Sequence, residues 1–300
     1  MAFKKATKEA QKLRAAIYAP SGGGKTMTAL RIAMGIIRAM TKANPELAKN
    51  IERERVAVID SEHGSASKYA DKFPFDSDEL TEKAIEDYIS KIQEAGRTGY
   101  EVLIIDSLSH AWLELVQEVD ALAASSTYKG SKFNAWSKGT PKQNDLIEAI
   151  LNYPGHVIVT MRAKTEWAQS AGERKSYERI GLQPVQGKGI EYEFDVLIAL
   201  NADHQAVIEK DRSDKFQGKR IEKPGEDFGQ ELAEWLMKGE PVKSLAEKLT
   251  DALGEHEAAA NAFLIKCGWI CDGQTFRDLA PDKAKSILNR TADFISKIQA

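Results

Sequence analysis

A glycine-rich loop near the start of the chain constrains the fold more than any other feature of the sequence. Residues 19–26 read Ala-Pro-Ser-Gly-Gly-Gly-Lys-Thr and follow an apolar run, Leu13 to Tyr18, while an amphipathic segment begins near Thr26. A strand, a glycine turn and a helix in this order direct backbone N–H groups and the positive end of the helix toward bound phosphates. This arrangement predicts a nucleotide site in an α/β fold.

The residues of this loop suit a nucleoside triphosphate bound together with Mg²⁺. The lysine can reach the β- and γ-phosphates, and the threonine hydroxyl can ligate the metal. Ala19 stands where a glycine is usual in such loops, but alanine is also small. A turn that only caps a helix is the alternative, although turn chemistry does not explain Lys-Thr after three glycines. We therefore expect ATP and Mg²⁺ as cofactors. The phosphate-binding candidates are Ser21, Gly22, Gly23, Gly24, Lys25 and Thr26.

The composition is that of an ordinary globular protein without a strong charge bias. Of the 300 residues 42% are hydrophobic and 29% are charged, and the formal net charge is -3. Any nucleic-acid contact must therefore come from local basic patches. The apolar runs fall short of the roughly 20 residues that span a bilayer, and the first residues lack the apolar core of a secretory signal. These features predict a cytoplasmic protein without a membrane partner. Cys267 and Cys271 lack the companions of a zinc site, and we expect both to be buried.

Short apolar runs alternate with helix-period segments over most of the chain. This alternation predicts an α/β fold with a doubly wound, mainly parallel sheet, in which ligands bind beyond the carboxyl ends of the strands. Residues 238–241 interrupt this alternation, and the sequence after them has the apolar spacing of helices without further strands. We therefore expect a core over 1–237 and a small α-helical domain over 238–300. The predicted strands are Leu13–Tyr18, Val56–Asp60, Glu101–Asp106, His156–Thr160 and Phe194–Asn201, then a hairpin at Gln205–Glu209 and Gly218–Ile221. The predicted C-terminal helices are Val242–Leu253, Glu255–Cys267 and Pro281–Ile298.

A carboxylate ends the third predicted strand, Val102-Leu103-Ile104-Ile105-Asp106. Four apolar residues before an acid are typical of a strand that presents an Asp to Mg²⁺ beside a phosphate loop. An Asp that only caps the next helix is the alternative, which the upstream loop makes less favoured. Since Ser107 rather than an acid follows Asp106, the base that activates water must come from elsewhere. Glu62, just past the second predicted strand, is the candidate.

The segment around Glu62 resembles the RecA family. Its residues Ile59-Asp60-Ser61-Glu62-His63 are closely similar to the stretch that ends the second strand of RecA proteins and carries their catalytic glutamate. The resemblance implies a RecA-like fold with Glu62 as general base, and a surface glutamate in a polar loop is the alternative. It also implies a γ-phosphate sensor at the end of the fourth predicted strand. Thr160 and Arg162 stand there instead of the Asn-Gln of RecA, and a plain strand terminus is the alternative.

Two later segments resemble phage-encoded RecA-like ATPases of the single-strand-annealing recombination group. They run from Gly181 to Asp195 and from Glu209 to Ser213, within a resemblance that covers residues 12–237. In such oligomers a late-strand Lys-x-Arg reaches the nucleotide of the neighbouring subunit. The resemblance therefore implies a homo-oligomer, ring or filament, in which Lys210 and Arg212 act in trans. A charged hairpin turn is the alternative.

Two basic segments predict contact with single-stranded DNA. Residues 125–142 contain four lysines, three aromatic residues and no acid, and residues 162–188 hold a second basic cluster diluted by glutamates. Lysine side chains can contact successive phosphates of the nucleic-acid backbone, and aromatic rings stack on unpaired bases. RecA-like filaments place DNA-binding loops at these two positions, whereas a solvated flexible surface is the alternative for either one alone. The candidates are Lys129, Lys132, Phe133, Trp136, Lys138, Lys142, Lys164, Arg174 and Lys175.

The leading hypothesis is a Mg²⁺-dependent ATPase that binds single-stranded DNA in recombination or strand annealing. A second hypothesis is a nucleotide-switched assembly or loading factor, whose helical domain holds a partner such as a single-strand-binding protein. A third is a small-molecule kinase. The position of Glu62 suits activation of water better than deprotonation of a substrate, and we see no arginine-rich lid in the sequence.

Overall fold

The computed structural model describes residues 7–8, 10–48, 54–169, 177–240, 245–279 and 281–299. Within this part of the chain, strands and helices alternate through the first 237 residues, and helices follow alone. The strands are β1 (Arg14–Ala19), β2 (Val56–Asp60), β3 (Asp76–Glu79), β4 (Val102–Asp106), β5 (His156–Gln169), β6 (Tyr177–Pro184), β7 (Val196–Leu200), β8 (Gln205–Asp211) and β9 (Arg220–Glu222). The helices are α1 (Lys25–Ala43), α2 (Ile85–Thr98), α3 (Leu108–Ala124), α4 (Lys132–Leu151), α5 (Glu226–Met237), α6 (Leu245–Leu253), α7 (Glu257–Lys266), α8 (Pro281–Asn289) and α9 (Thr291–Gln299).

The strands form one mostly parallel sheet in the order β3-β2-β4-β5-β1-β7-β8-β9, with β6 paired to β5 outside this order. The six strands from β3 to β7 run parallel to one another, and β8, β9 and β6 pair antiparallel. This sheet and its flanking helices confirm the predicted α/β fold of the phosphate-loop nucleotide-binding class. Every residue of β1, β2, β4 and β7 is buried, which explains why these strands read as nearly continuous apolar runs.

Helices cover both faces of the sheet and make two apolar cores. Side chains of α1 and α5 pack on one face, where Leu30, Ile36 and Leu232 are fully or almost fully buried. Side chains of α2, α3 and α4 pack on the other, around Tyr88 and Leu103. Helices on both faces shield the sheet from water, so that polar side chains gather where the strands end.

The register of the sheet brings the carboxyl ends of four strands to one level. Tyr18 lies opposite Met161, Ile105 lies opposite Val159, and Asp60 lies opposite Asp106. We call this side of the sheet the carboxyl edge. The loop that follows β1 and the acids that end β2 and β4 therefore meet there.

Three segments differ from their predicted form. Strand β5 does not stop at Thr160 but continues to Gln169, where it pairs antiparallel with β6. Strand β3, with the polar sequence Asp-Ser-Asp-Glu, lies at an edge of the sheet and carries none of the apolar pattern used to predict strands. The predicted helix Pro281–Ile298 is two helices: α8 ends just before Arg290, and α9 begins just after it.

The contacts divide the chain into two units, one spanning 11–238 and one comprising the described residues of 1–10 and 239–300. The sequence analysis assigned 1–10 to the first unit. Backbone hydrogen bonds from Ala10 N to Glu240 O (2.8 Å) and from Glu240 N to Lys8 O (2.8 Å) join this segment to the second. The helical unit has its own apolar core, which includes Leu249, Leu264 and Phe276.

Cys267 and Cys271, expected to be buried, are both exposed. Cys267 lies just after the last turn of α7, and Cys271 lies in the connection that follows, so neither thiol enters the apolar core of the helical unit. Among the described residues, no helix combines the length and the apolar character needed to cross a membrane.

Candidate nucleotide site

The loop between β1 and α1 has the backbone conformation of a phosphate cradle. Gly22 (φ 75°) and Gly24 (φ 83°) adopt left-handed conformations that residues with a side chain rarely take. These two turns carry the chain from the end of β1 into Lys25, the first residue of α1. Backbone N–H groups at the start of a helix have no partner within the helix and are free to bind an anion.

Ala19 and Gly23 pack against each other at the base of this loop. A Cβ atom on Gly23 would lie only 2.7 Å from the Cβ of Ala19 and 3.3 Å from the carbonyl oxygen of Asn201. Ala19 is completely buried, and Gly23 is buried as well. The methyl group that replaces the usual first glycine is therefore accommodated because Gly23 has no side chain. Gly23 shapes the loop from behind and does not line the cavity.

The Lys25 ammonium group lies inside the loop, where Nζ is 3.5 Å from the carbonyl oxygens of both Ala19 and Pro20. Partial burial lowers the pKa of Lys25, whereas the nearby carboxylates of Asp106 and Glu62 raise it. The Lys25 ammonium group is therefore partly removed from water and lies near two carboxylates. A polyphosphate at this position would supply the counter-charge that burial makes favourable.

Thr26, Asp106 and Thr160 form a hydrogen-bonded group at the floor of the site. The Thr26 hydroxyl donates to Oδ2 of Asp106 at 2.5 Å, and the Thr160 hydroxyl donates to Oδ1 of the same carboxylate. Burial raises the pKa of Asp106, while these two hydrogen bonds lower it. Asp106 is 1% exposed and Thr160 is fully buried, so Thr160 supports Asp106 from below rather than facing a phosphate. Thr26 and Asp106 present the hard oxygen atoms that Mg²⁺ prefers.

Glu62 faces the same cavity from the loop after β2. The Asp60 carboxylate accepts hydrogen bonds from the backbone N–H groups of Glu62 (2.7 Å) and Ala66 (2.8 Å), which holds this loop in place. Arg162, at the end of the parallel part of β5, donates to the Glu62 carboxylate from Nε at 3.2 Å and from Nη2 at 3.1 Å. Burial works against ionisation of Glu62, but Arg162, with smaller effects from His110 and Lys25, outweighs it, and the pKa of Glu62 is lowered overall.

A cavity of about 1030 Å³ connects these residues. Lys25, Thr26, Glu62, Asp106 and Arg162 line one part of it, so the structure brings most of the predicted site residues together. The volume accommodates a ligand of the size of a nucleoside triphosphate, since ligand cavities typically measure about 300–1,000 Å³. Other lining residues were not found by sequence analysis, because they do not belong to a recognisable motif: Arg31, Lys68, Tyr69, His204 and Lys223.

His204 and Tyr69 are two of the cavity residues that sequence analysis did not find. The His204 ring lies against the phosphate loop, since a Cβ on Gly24 would be 2.8 Å from His204 Nδ1. Tyr69 is half-buried at the end of a short 3₁₀ helix, Ala66–Tyr69, and it also lines the cavity. No local sequence pattern predicts these contacts.

A second network missed by sequence analysis lies behind Glu62. The buried His110, in the first turn of α3, has Nδ1 2.8 Å from Ser61 Oγ and Nε2 3.6 Å from Glu62 Oε1. Ser109 Oγ accepts from Arg162 N (2.9 Å) and donates to Val185 O (2.8 Å). The first turn of α3 thus contacts both the Glu62 loop and the base of the β5–β6 hairpin.

Lys210 and Arg212 lie away from the phosphate loop of their own chain. Strand β8 runs antiparallel to β7, and Asp211 is level with Val196, the first residue of β7. The two cations therefore lie toward the amino ends of the parallel strands, opposite the carboxyl edge. Lys210 Nζ donates to Tyr192 O at 2.8 Å, and Arg212 Nη2 is 3.4 Å from the same oxygen.

The first segment predicted to bind DNA, residues 125–142, is mostly helix and not the expected loop. Ser131 caps α4 through its side chain, and the helix includes Lys132 and all later candidates of this segment. Trp136 stacks on Trp112 with ring centroids 5.4 Å apart and is half-buried. Lys142 forms ion pairs with Glu118 (2.7 Å) and Glu86 (2.9 Å). Because of these contacts neither Trp136 nor Lys142 is freely available to DNA.

Other candidates in this segment remain on the surface. Phe133 is 88% exposed, and Lys129 and Lys138 are also exposed. Lys132 is exposed and lies 2.8 Å from Asp120. The accessible candidates of this segment therefore lie just before α4 and in its first two turns.

The second segment is an antiparallel hairpin. Beyond Arg162 the strand β5 leaves the parallel sheet and pairs with β6 from Ala163 to Gln169, which extends the hairpin from the carboxyl edge. Lys164 is exposed at its base. Arg174 and Lys175 lie outside the described residues.

A family model described as an AAA domain matches residues 11–221, more than half of the 300-residue chain. No curated protein matches the chain. The matched range includes the phosphate loop, Glu62, Asp106 and Arg162. Together with the fold, this match indicates a nucleotide-binding protein of the ATPase class.

Proposed function

We propose that this chain, which belongs to the AAA-domain family, hydrolyses ATP with the help of Mg²⁺ and acts on single-stranded DNA. The observation that carries the proposal is the convergence of Lys25, Asp106 and Glu62 on one cavity, although they come from three separate strand ends. A phosphate cradle, metal-binding oxygens and a nearby carboxylate are the parts needed to transfer a phosphoryl group to water.

In this proposal each side chain has one role. Lys25 and the backbone N–H groups of the loop bind the β- and γ-phosphates. Glu62 orients a water molecule toward the γ-phosphate and accepts its proton, for which a carboxylate with a lowered pKa is ionised at neutral pH. Arg162 lies close enough to Glu62 to contact both this carboxylate and the charge on the γ-phosphate.

Thr26 and Asp106 are the residues that would hold Mg²⁺. Their oxygens are already 2.5 Å apart at the floor of the cavity, and both are ligand types that Mg²⁺ prefers. The ion would neutralise charge on the β- and γ-phosphate oxygens. Thr160, which donates to the other oxygen of Asp106, keeps the carboxylate oriented toward Thr26.

The proposed DNA contact rests on the surface that remains accessible. Phe133, Lys129 and Lys138 are exposed around the start of α4, and a ring that is 88% exposed is available for stacking on an unpaired base. Lys164 lies at the base of a hairpin that leaves the sheet beside the nucleotide cavity. A nucleotide-dependent movement of Arg162 would reach this hairpin directly, because both belong to β5.

We further propose that the chain forms a ring or filament in which Lys210 and Arg212 contact the nucleotide of a neighbour. Their position toward the amino ends of the parallel strands prevents contact with their own phosphate loop. The likeness of residues 181–195 to the phage-encoded annealing ATPases supports a role in recombination or strand annealing.

The proposal is tested by ATPase assays with and without an oligodeoxythymidylate at low salt. We expect Glu62→Gln to bind a fluorescent ATP analogue as the unaltered protein does and to lose turnover. Turnover by this variant near the unaltered rate would overturn the assignment of Glu62. If neither the ATPase rate nor fluorescence anisotropy responds to the oligonucleotide, the DNA part of the proposal is wrong. Native mass measurement with a non-hydrolysable ATP analogue tests the oligomer.

A further inference from the structure

His110 is a buried imidazole that contacts the Glu62 loop with both ring nitrogens. Its side chain is 9% exposed, Nδ1 lies 2.8 Å from Ser61 Oγ, and Nε2 lies 3.6 Å from Glu62 Oε1. The residue belongs to the first turn of α3, just after Asp106, so it joins the strand that ends in Asp106 to the loop that carries Glu62. No sequence motif predicted a role for His110.

The hydrogen bonds around Ser61 favour one tautomer of the His110 ring. The Ser61 hydroxyl oxygen accepts from Ser107 N at 2.9 Å, and its single proton can go to Ser107 O (3.1 Å) or to His110 Nδ1. Ser107 O already accepts from the Tyr88 hydroxyl at 3.1 Å and from the backbone N–H of His110 at 3.4 Å. We assign the Ser61 proton to Nδ1, the shorter of its two contacts, which places the proton of a neutral His110 on Nε2.

The electrostatic surroundings favour this neutral form. Burial lowers the pKa of His110, and the positive charge of Arg162 acts in the same direction, with smaller effects from Lys83 and His63. Glu62 is the facing group that raises the pKa. A neutral ring with a proton on Nε2 is a donor toward Glu62, whereas the opposite tautomer would turn a lone pair toward the carboxylate.

From this geometry we propose that His110 is a positioning residue for Glu62. Arg162 is the other side chain that holds this carboxylate, but its side chain is 47% exposed, and it is the one free to turn toward a bound γ-phosphate. His110 is enclosed by α3 and the Glu62 loop and cannot move away in the same manner. It keeps Glu62 in place when Arg162 engages the nucleotide. This inference rests on the proposed role of Glu62 as general base.

Two conservative variants separate positioning from simple packing. In His110→Gln the amide nitrogen can occupy the place of Nε2 and donate to Glu62. In His110→Asn the shorter side chain reaches only the place of Nδ1 and keeps the partner Ser61. We expect His110→Asn and His110→Ala to lower kcat by about tenfold, because a Glu62 carboxylate without this neighbour is less well placed to orient the water molecule, with little change in KM for ATP. His110→Gln should retain most of the activity.

The same series contains the results that would overturn the inference. Equal activity of the Gln and Asn variants, whether high or low, would show that the contact with Glu62 is irrelevant. A rise in KM without a fall in kcat in the Asn variant would also contradict the inference. Addition of His110→Ala to Glu62→Gln should cause no further loss, and an additive loss would contradict positioning. If Glu62→Gln alone keeps full turnover, the failure lies in the proposed function.

Thermal unfolding of each variant identifies any that does not fold. Should the Asn and Ala variants fail this check, Ser61→Ala provides the comparison, because it removes the group that orients the ring and leaves the imidazole in place. We expect it to lower kcat while affinity for a fluorescent ATP analogue stays unchanged. Unaltered kcat in a folded Ser61→Ala protein would contradict the inference.

Discussion

Arg162 holds Glu62 through two nitrogens, with Nε at 3.2 Å and Nη2 at 3.1 Å from the carboxylate. The arginine ends the parallel part of β5 and the glutamate follows β2, so the ion pair spans the carboxyl edge beside the phosphate loop. A carboxylate held by a guanidinium is kept ionised and oriented. Arg162 is followed directly by Ala163, the first residue of β5 that pairs with β6. The ion pair therefore also links the nucleotide cavity to these two antiparallel strands.

Removal of Arg162 should change the pH dependence of ATP hydrolysis. Arg162 lowers the pKa of Glu62, so in Arg162→Ala this pKa rises toward its ordinary range. Since the base must be ionised to accept a proton, the acid limb of the kcat profile should shift to higher pH. Steady-state assays across pH, with Arg162→Lys as the matched variant that keeps a cation, provide the measurement. An unshifted acid limb in the alanine variant would argue against Glu62 as the titrating base.

Replacement of Lys25 should abolish nucleotide binding or turnover. The ammonium group is partly buried inside the loop, where it lies 3.5 Å from the carbonyl oxygens of Ala19 and Pro20, and the phosphates would add charged partners to these neutral ones. We expect Lys25→Ala to weaken binding of a fluorescent ATP analogue by at least about tenfold, a loss of about 1.4 kcal/mol. Lys215→Ala, an exposed lysine outside the cavity, is the control. Equal affinities of the two variants would refute the phosphate cradle.

Phe133 and Lys142 should differ in their effect on DNA, although sequence analysis grouped them. Phe133 is exposed, and its loss should weaken binding of an oligodeoxythymidylate by about 1–3 kcal/mol if it stacks on a base. Lys142 is engaged by Glu118 and Glu86, so Lys142→Ala should leave DNA affinity nearly unchanged and cost at most about 1 kcal/mol of stability. Anisotropy titrations and chemical denaturation measure the two effects. A stronger DNA defect in Lys142→Ala than in Phe133→Ala would reverse this assignment.

Buried His156 should make the protein less stable in mild acid. Burial lowers the pKa of His156 to about 3, from 6.5, and Nδ1 accepts from the backbone N–H of Leu13 at 3.1 Å. Below pH 6.5 the unfolded chain binds a proton that the folded protein excludes, so stability falls as the pH falls toward 3. At pH 5 the loss from this group is about 2 kcal/mol.

The variant His156→Asn tests this prediction, because the Asn side-chain oxygen can replace Nδ1 as acceptor and does not titrate. Urea denaturation at pH 7 and pH 5 should show a smaller loss of stability in the variant than in the unaltered protein. His256→Asn, a histidine of the helical unit, is a matched control. Equal losses in all three proteins would mean that His156 does not govern the acid response.

Local patterns were sufficient for the predictions that depend on neighbouring residues. The run Val102–Asp106 is a strand because four apolar residues suit a position buried on both faces, and its acid emerges where the strand ends. The loop before Lys25 needs glycines at left-handed positions, which is a local requirement. The DNA segment was less accurately predicted. Its lysines and aromatic residues fit a loop by composition, but Trp136 stacks on Trp112 of a different helix and Lys142 pairs with two other helices.

The sequence by itself determined the phosphate loop, the apolar strands and the acids that follow them, because each of these depends on side-chain size, charge and spacing within a few residues. Only the tertiary structure decided which side chains hold Glu62. Arg162 is 100 positions away and reaches it because β2 and the parallel part of β5 end at the same edge of the sheet. His110 is 49 positions from Ser61 and reaches it because α3 begins where β4 ends. Such contacts follow from the register of parallel strands, which no local pattern contains.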